Sequence, residues 1–203
     1  PVNKWLPDTA KLQGQYADSL KIWHLYTHTS GIPPSDVVWV MEAQMTADDP
    51  MAFAKDPFGN YTTSDLLNFT SEYEPEAEVG ENFLYSNQGF ALLGYVLEQV
   101  YERQIDDLLV KALEDLEMPH SYLYTVKSET DTSNLARAYN AANDATPWMS
   151  FRSMLPAGGI VSNITDLAQY ARVMLGWVDD EFLRTAIHEN TRPRFTVNEE
   201  LHI

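Results

Sequence analysis

The stretch ENFLYSNQGFALLGYVLEQV, residues 81–100, is the part of this chain that best defines its fold. From Asn87 onward, apolar residues recur at helical spacing, which predicts a helix running from Asn87 to about Arg103. Gly94 inside this helix indicates a close approach to another element. The apolar stripe consists of Phe90, Leu93, Leu97, Val100 and Tyr101.

Tyr85, Ser86 and Asn87 stand directly before that helix. If they are extended, side chains two apart point the same way, so the phenol and the carboxamide face one cleft while Ser86 caps the helix. A phenol can exchange protons where nearby cations lower its pKa, and a carboxamide can hold a substrate carbonyl. The three residues alone favour a simple helix cap beside a buried tyrosine.

The surrounding chain is predicted to be mainly helical, with long irregular connections and almost no alternating strand pattern. We expect helices from a cap at Ser19 to His28, from Thr63 or Ser64, from Ile105 to Leu116, and over 179–189. A short strand fits the sequence SYLYTV at 121–126. The opening 1–18 reads as an extended segment lying on a larger body.

A further helix follows the sequence PAGGIVSN at 156–163. Ser162 or Asn163 can cap it, with Asp166 closing a capping box. The pattern places an apolar face inward, made of Ile164, Leu167, Tyr170, Ala171 and Met174.

Residues 33–62 lack a sustained period and predict a long ordered loop with short helical turns. Its large apolar side chains either line an acyl or side-chain pocket or pack as ordinary core. They are Trp39, Met41, Met45, Met51, Phe53 and Phe58.

The composition limits the function classes. Thirty acidic against 13 basic residues give a formal net charge of -17, which disfavours a broad phosphate-binding face, so we expect no nucleic-acid partner. The chain has no cysteine, which excludes disulfides and thiolate catalysis. No apolar run has the length of a membrane span. His24 and His28 stand four apart, but no third ligand has suitable spacing, so we expect no metal site.

Four blocks, in this order, resemble the serine β-lactamase-like hydrolases: class C β-lactamases, D-alanyl-D-alanine peptidases, D-aminopeptidases and β-lactamase-fold esterases. The blocks are IWHLYTHTSGIP (22–33), VGENFLYSNQGFALLGYVLEQV (79–100), LLVKALEDLEMPHSYL (108–123) and PAGGIVSNITDLAQYARVML (156–175). The resemblance covers about residues 1–176. It implies that Tyr85-x-Asn87 is the Tyr-x-Asn motif of that family, with Tyr85 transferring protons and Asn87 orienting the substrate. Gly158 and Gly159 would then border the cleft as substrate-binding residues, although a structural role is the alternative.

The chain also departs from that family. In that family, a Ser-x-x-Lys motif supplies the nucleophile and its lysine, and a late strand carries Lys-Thr-Gly. Here no serine is followed three residues later by lysine, and no Lys-Thr-Gly occurs. Val79-Gly80 stands where relatives often have Pro-Gly, which affects only that turn. The resemblance therefore implies the internal, mainly helical part of a β-lactamase-like α+β fold, with the sheet-forming ends largely absent. We divide it into a lead-in segment, 1–18, and a helical domain, 19–203.

We therefore expect the cleft-forming part of a hydrolase that passes through an acyl-enzyme with an amide, β-lactam or ester, and that is inactive alone. Its substrate would be a small-molecule or peptide acyl compound, with no metal or organic cofactor. A complementing segment or chain would carry the nucleophile. The alternative is a non-catalytic helical binding module. Relatives are often exported, but nothing in the chain fixes its compartment.

Overall fold

A computed structural model describes residues 1–48, 56, 58–74, 78–124 and 134–196. Its helices are α1 (Ile22–Tyr26), α2 (Val37–Thr46), α3 (Thr63–Glu72), α4 (Asn87–Tyr101), α5 (Ile105–Asp115), α6 (Leu155–Gly158), α7 (Ile164–Met174) and α8 (Glu181–Asn190). Its strands are β1 (Tyr122–Leu123), β2 (Ala138–Tyr139), β3 (Ala145–Thr146) and β4 (Ile160–Val161). No helix in these ranges is long and apolar enough to cross a membrane.

Helix α4, which the sequence predicts as a helix, packs against α1, α3, α5 and α6. It ends at Glu102, which adopts a left-handed conformation with φ 52°. Its most buried residues differ from the predicted stripe, because several small residues let neighbouring elements approach closely. They are Gln88, Gly89, Ala91, Leu92, Gly94 and Val96, whereas Val100 and Tyr101 are exposed.

The core forms around α4. Residues 1–18 contribute side chains to this core. They form 3-10 turns at Val2–Trp5 and Asp8–Ala10, with extended residues between the two turns. Val2 and Leu20 are fully buried, and the Val2 N–H donates to the Leu20 carbonyl at 2.8 Å. The main buried cluster also holds Leu6, Leu12, Ala17, Leu25, Ile32, Tyr61, Leu66, Ala91, Leu92, Val96 and Met154.

The described strands form two antiparallel pairs of two residues each. β1 pairs with β4, with Tyr122 opposite Val161, and β2 pairs with β3. The predicted strand within 121–126 is therefore confirmed over Tyr122–Leu123, and residues 125 and 126 lie outside the described part of the chain.

Helix α2 corrects the expectation of a loop with short turns over residues 33–62. Asp36 caps it, since its side chain accepts the Trp39 N–H at 3.0 Å, and the helix then runs for ten residues. The sequence gives no periodic signal because both sides of the helix are apolar. Four of its large apolar side chains are exposed: Val37, Val38, Met41 and Met45.

Helix α7 begins at the predicted cap, with the Asn163 side chain accepting the Asp166 N–H at 2.9 Å. The predicted capping box is wrong, because Asp166 Oδ2 instead accepts the His120 N–H at 2.8 Å and the Ser121 hydroxyl at 2.7 Å. Its predicted inward face is wrong: Ile164 is 81% exposed, and Leu167, Tyr170 and Ala171 are also exposed. Asp166 and Val173 are buried instead. The helical period is correct, but a period alone does not identify which surface the rest of the chain covers.

The predicted cap at Ser19 is also wrong. Ser19 belongs to a separate 3-10 turn, Ala17–Ser19, and α1 starts after Lys21. The Lys21 N–H donates to His24 Nδ1 at 3.0 Å, so a histidine side chain satisfies the amide that a conventional cap leaves open.

Candidate active site

Ser86 joins the Tyr-x-Asn segment to the body of the protein. The segment is extended there, with φ -142° and ψ 110°. The buried Ser86 hydroxyl accepts the Gly89 N–H and donates to the Pro33 carbonyl, both at 2.7 Å. The predicted helix cap is therefore confirmed, and the Ser86 side chain is fully buried rather than presented to the cleft.

Tyr85 and Asn87 differ from Ser86 in their exposure. Tyr85 is 54% exposed, and Asn87 is half-buried at the first position of α4. Neither the phenol hydroxyl nor the Asn87 carboxamide has a hydrogen-bond partner among the described residues. Because the backbone at Ser86 is extended, the side chains on its two sides point to one face. A phenol and a carboxamide are thus available together to a ligand.

His28 lies against this segment. Its Nδ1 accepts the Ser86 N–H at 3.0 Å, and its ring centroid is 4.4 Å from that of Tyr85. Burial lowers the pKa of His28, which favours the neutral imidazole that can accept this hydrogen bond. The sequence alone assigns His28 to the end of a helix and allows it, with His24, only as a possible metal ligand. The contact joins residues 58 positions apart, so no local pattern could have indicated it.

A buried polar chain lies behind the motif. The Gln88 Nε2 donates to the Tyr61 hydroxyl at 2.5 Å, and that hydroxyl donates to Asp36 Oδ2 at 3.3 Å. Burial, with the Asp36 carboxylate as a further cause, raises the pKa of Tyr61 and keeps the phenol neutral. The Gln88 Oε1 is buried without a hydrogen-bond partner among the described residues. This chain connects the start of α4 to the cap of α2, and sequence reasoning missed it.

A groove of about 670 Å³ lies between α2 and α3, and Pro33 is among its lining residues. Pro33 also accepts the hydrogen bond from Ser86, so one residue contacts both the groove and the motif. Trp39 lines it, whereas Met41 and Met45 do not, and Met51 and Phe53 lie outside the described residues. The lining contains aromatic rings at Trp39, Phe69 and Tyr73 and carboxylates at Asp36, Glu42, Asp65 and Glu72.

Gly158 and Gly159 lie at the end of α6, which packs against α4. Gly158 is exposed and Gly159 is buried. The Gly159 N–H donates to the Leu155 carbonyl, and the Gly159 carbonyl accepts the Tyr124 N–H at 2.7 Å. A Cβ on Gly159 would lie 2.1 Å from the Leu155 side chain, so close packing explains that glycine. These contacts bring Gly159 to β1 and leave the substrate-binding role of both glycines a prediction.

No group of three potential metal ligands occurs in the described ranges. At the motif, the structure brings together the phenol of Tyr85, the carboxamide of Asn87 and the imidazole of His28. A phenol can transfer a proton, and a carboxamide can orient a carbonyl or amide.

Comparison with known proteins supplies the family context. A family model described as Beta-lactamase matches residues 1–201. A beta-lactamase from Providencia stuartii is 28% identical over 181 residues, which cover 85% of this chain and 38% of that protein.

Solved structures agree on the fold. A class C beta-lactamase superposes with a TM-score of 0.75 at 22% identity, covering 99% of this chain and 50% of its own. A D-stereospecific amidohydrolase from Streptomyces sp. gives 0.69 at 22% identity, covering 98% of this chain and 58% of its own. The chain thus has a β-lactamase-like fold over the matched part, and it spans 38% to 58% of the length of these three relatives.

Proposed function

This chain belongs to the beta-lactamase family, and from that premise we propose that it is the helical, cleft-forming part of a serine hydrolase. The reaction class is hydrolysis of an amide, β-lactam or ester through an acyl-enzyme. The observation that carries the proposal is the exposed Tyr85 and Asn87 pair, held on one side of an extended segment by a fully buried Ser86.

In the proposed mechanism, the Tyr85 phenol moves a proton between the nucleophile and the leaving group. The Asn87 carboxamide holds the acyl part of the substrate, and Gly158 and Gly159 border the cleft. Each role comes from the resemblance to the Tyr-x-Asn motif. Both side chains lack a hydrogen-bond partner among the described residues, which supports these roles.

The nucleophile is proposed to come from outside these 203 residues. None of their serines has a lysine three residues later, and no Lys-Thr-Gly is present. Without its nucleophile, such a site retains little beyond binding, so the 203-residue chain should not turn over substrate.

The domain assignment belongs to the same proposal. Residues 19–203 form the mainly α helical domain, and residues 1–18 form a lead-in segment. The burial of Val2 and Leu6 supports an association in which the lead-in packs into the same core as α4. The mainly α description applies to this part of the protein, and the complete protein is proposed to have an α+β architecture.

A non-catalytic binding module is the second candidate. The observation in its favour is the exposed apolar surface of α7 and the residues after it, including Ile164, Leu175 and Trp177. An uncovered apolar surface of this kind is typical of an interaction site. A separate complementing chain that carries the nucleophile is a variant of the first proposal, and the same experiment distinguishes it.

Covalent labelling with a fluorescent penicillin tests the proposal. Intact mass of the 203-residue chain should show no adduct, whereas the protein as its gene encodes it should gain one acyl group. An adduct on the 203-residue chain would refute the external nucleophile. If the gene-encoded protein gains no adduct from the penicillin, an activated ester or a D-alanyl-D-alanine peptide, the binding module is favoured instead. Labelling that requires a second protein indicates a split enzyme.

A further inference from the structure

His28 has an unusual backbone conformation at the end of α1. Its φ is 55°, in the left-handed region, which most residues other than glycine avoid because the Cβ crowds the following carbonyl. Histidine is among the side chains that adopt this conformation more often. Such a conformation persists where surrounding contacts hold it, so the neighbours of His28 are informative.

Those contacts form a clamp on one edge of the motif. The Leu84 N–H donates to the His28 carbonyl at 2.8 Å, and the Ser86 N–H donates to His28 Nδ1 at 3.0 Å. Amides two apart in an extended segment point to the same edge. A single residue therefore satisfies two consecutive amides on that edge, as a neighbouring strand would, and Tyr85 lies between them.

The imidazole also contacts two aromatic rings of the same segment and one in the first turn of α4. Its centroid is 4.4 Å from that of Tyr85, 5.0 Å from that of Phe90 and 5.7 Å from that of Phe83. Ring pairs at these separations attract one another. The ring thus limits the positions available to a phenol that is otherwise more than half exposed.

The hydrogen bond at Nδ1 also defines the protonation state of His28. A backbone N–H can only donate, so Nδ1 must offer a lone pair, and the proton of the neutral ring must reside on Nε2. A second proton on Nδ1 would face the Ser86 N–H and abolish the hydrogen bond. The burial of the ring favours the neutral form.

We propose that His28 is a positioning residue for Tyr85: its carbonyl and Nδ1 fix the backbone on both sides of the phenol, and its ring holds the phenol itself. The inference rests on the proposed function, because positioning Tyr85 affects a reaction only if Tyr85 transfers protons. His28 need not touch the substrate for this role.

Nuclear magnetic resonance on the 203-residue chain tests the clamp without any activity. The ¹⁵N spectrum at neutral pH should show His28 with Nδ1 unprotonated and Nε2 protonated. A protonated Nδ1 would overturn the proposal, whatever the behaviour of variants.

Two variants then separate the acceptor from the backbone conformation. His28→Gly adopts the left-handed conformation readily but loses the acceptor, whereas His28→Asn tolerates that conformation and offers an oxygen close to the position of Nδ1. Exchange of the Ser86 amide should be about tenfold faster in His28→Gly, the loss of one hydrogen bond, and nearly unchanged in His28→Asn. Equal exchange in wild type and His28→Gly would refute the clamp. The Leu113 amide, in α5, should not change in either variant.

Catalytic positioning needs a second measurement, on the form of the protein that the penicillin experiment shows to be acylated. His28→Gly should lower kcat by roughly 10- to 100-fold with KM little changed, because the phenol is misplaced while binding groups remain. His28→Asn should recover part of that loss. An unchanged kcat in His28→Gly would refute the positioning role. Absence of acylation in every form, with the clamp intact by exchange, would refute only the proposed function.

Discussion

Helices α4 and α7 are both capped amphipathic helices of similar sequence character, but the rest of the protein buries their apolar residues to very different extents. Helix α4 buries Leu92 and Val96 almost completely and contacts four other helices. Helix α7 leaves Ile164 and Leu167 exposed. The difference shows that an apolar period specifies a helix and a face, whereas burial depends on what the rest of the protein places against that face.

The difference between α4 and α7 also bears on the candidate site, which lies at the start of the buried helix α4 rather than on the more exposed helix α7. The Tyr-x-Asn segment leads directly into the largely buried helix α4. The Pro33 carbonyl accepts the Ser86 hydroxyl of this segment, and His28 Nδ1 accepts the Ser86 N–H. We infer that this part of the site is preorganised within the 203 residues.

The largest expected effect comes from the same substitution in the two helices. Leu92→Ala in α4 should lower the free energy of unfolding by about 2–5 kcal/mol, because it leaves a cavity in the core. Leu167→Ala in α7, where the side chain is 49% exposed, should cost less than about 1 kcal/mol. Urea unfolding of both variants measures the difference. Equal losses would mean that the two helices are packed alike.

A methyl group added to α4 should have the next largest effect. A Cβ on Gly94 would lie 2.2 Å from Pro156 Cγ, at the contact between α4 and α6. Gly94→Ala should therefore destabilise the chain by about 1–3 kcal/mol, although alanine favours helix formation.

An exposed position in helix α7 provides the control for the Gly94 substitution. Ala168 is exposed there, so Ala168→Gly should cost only the helix propensity, about 1 kcal/mol. A stabilising Gly94→Ala would show that α4 and α6 are not in close contact.

A smaller effect concerns pH and the helix α1 that packs against α4. Burial, and next the charge of Lys21, lower the pKa of His24 from 6.5 to about 4. The unfolded state then binds more protons than the folded state between pH 6.5 and pH 4, so this contribution to stability is present above pH 6.5 and is lost as the pH falls. The slope from His24 cannot exceed about 1.4 kcal/mol per pH unit.

Urea unfolding as a function of pH measures that slope. His24→Gln should reduce the slope in this window relative to the wild type. An identical slope in both proteins would show that His24 does not titrate abnormally in the folded state.

The sequence was sufficient for elements whose signals are local. The start of α4 at a serine cap, the cap of α7 at Asn163 and the short strand at Tyr122 follow from side chains within a few residues. The sequence was insufficient for α2, whose apolar residues lie on both sides of the helix and hide the helical period, and for the orientation of α7. In both cases distant parts of the chain determine the outcome.

The candidate site divides in the same way. Local spacing predicts that Tyr85 and Asn87 face one cleft across an extended Ser86, and the backbone angles of Ser86 agree with that expectation. The contributions of His28, Gln88 and Tyr61 could not be predicted, since each acts through contacts more than 25 residues away along the chain.

The most direct test of the account is the kcat of Tyr85→Phe, measured on the acylated form of the protein with the substrate that it hydrolyses. Loss of the phenol hydroxyl removes the proposed proton transfer and should lower kcat by about 100-fold or more. Tyr101→Phe, which alters an exposed tyrosine at the other end of α4, should leave kcat unchanged. An unchanged kcat in Tyr85→Phe would contradict the catalytic role of the Tyr-x-Asn segment.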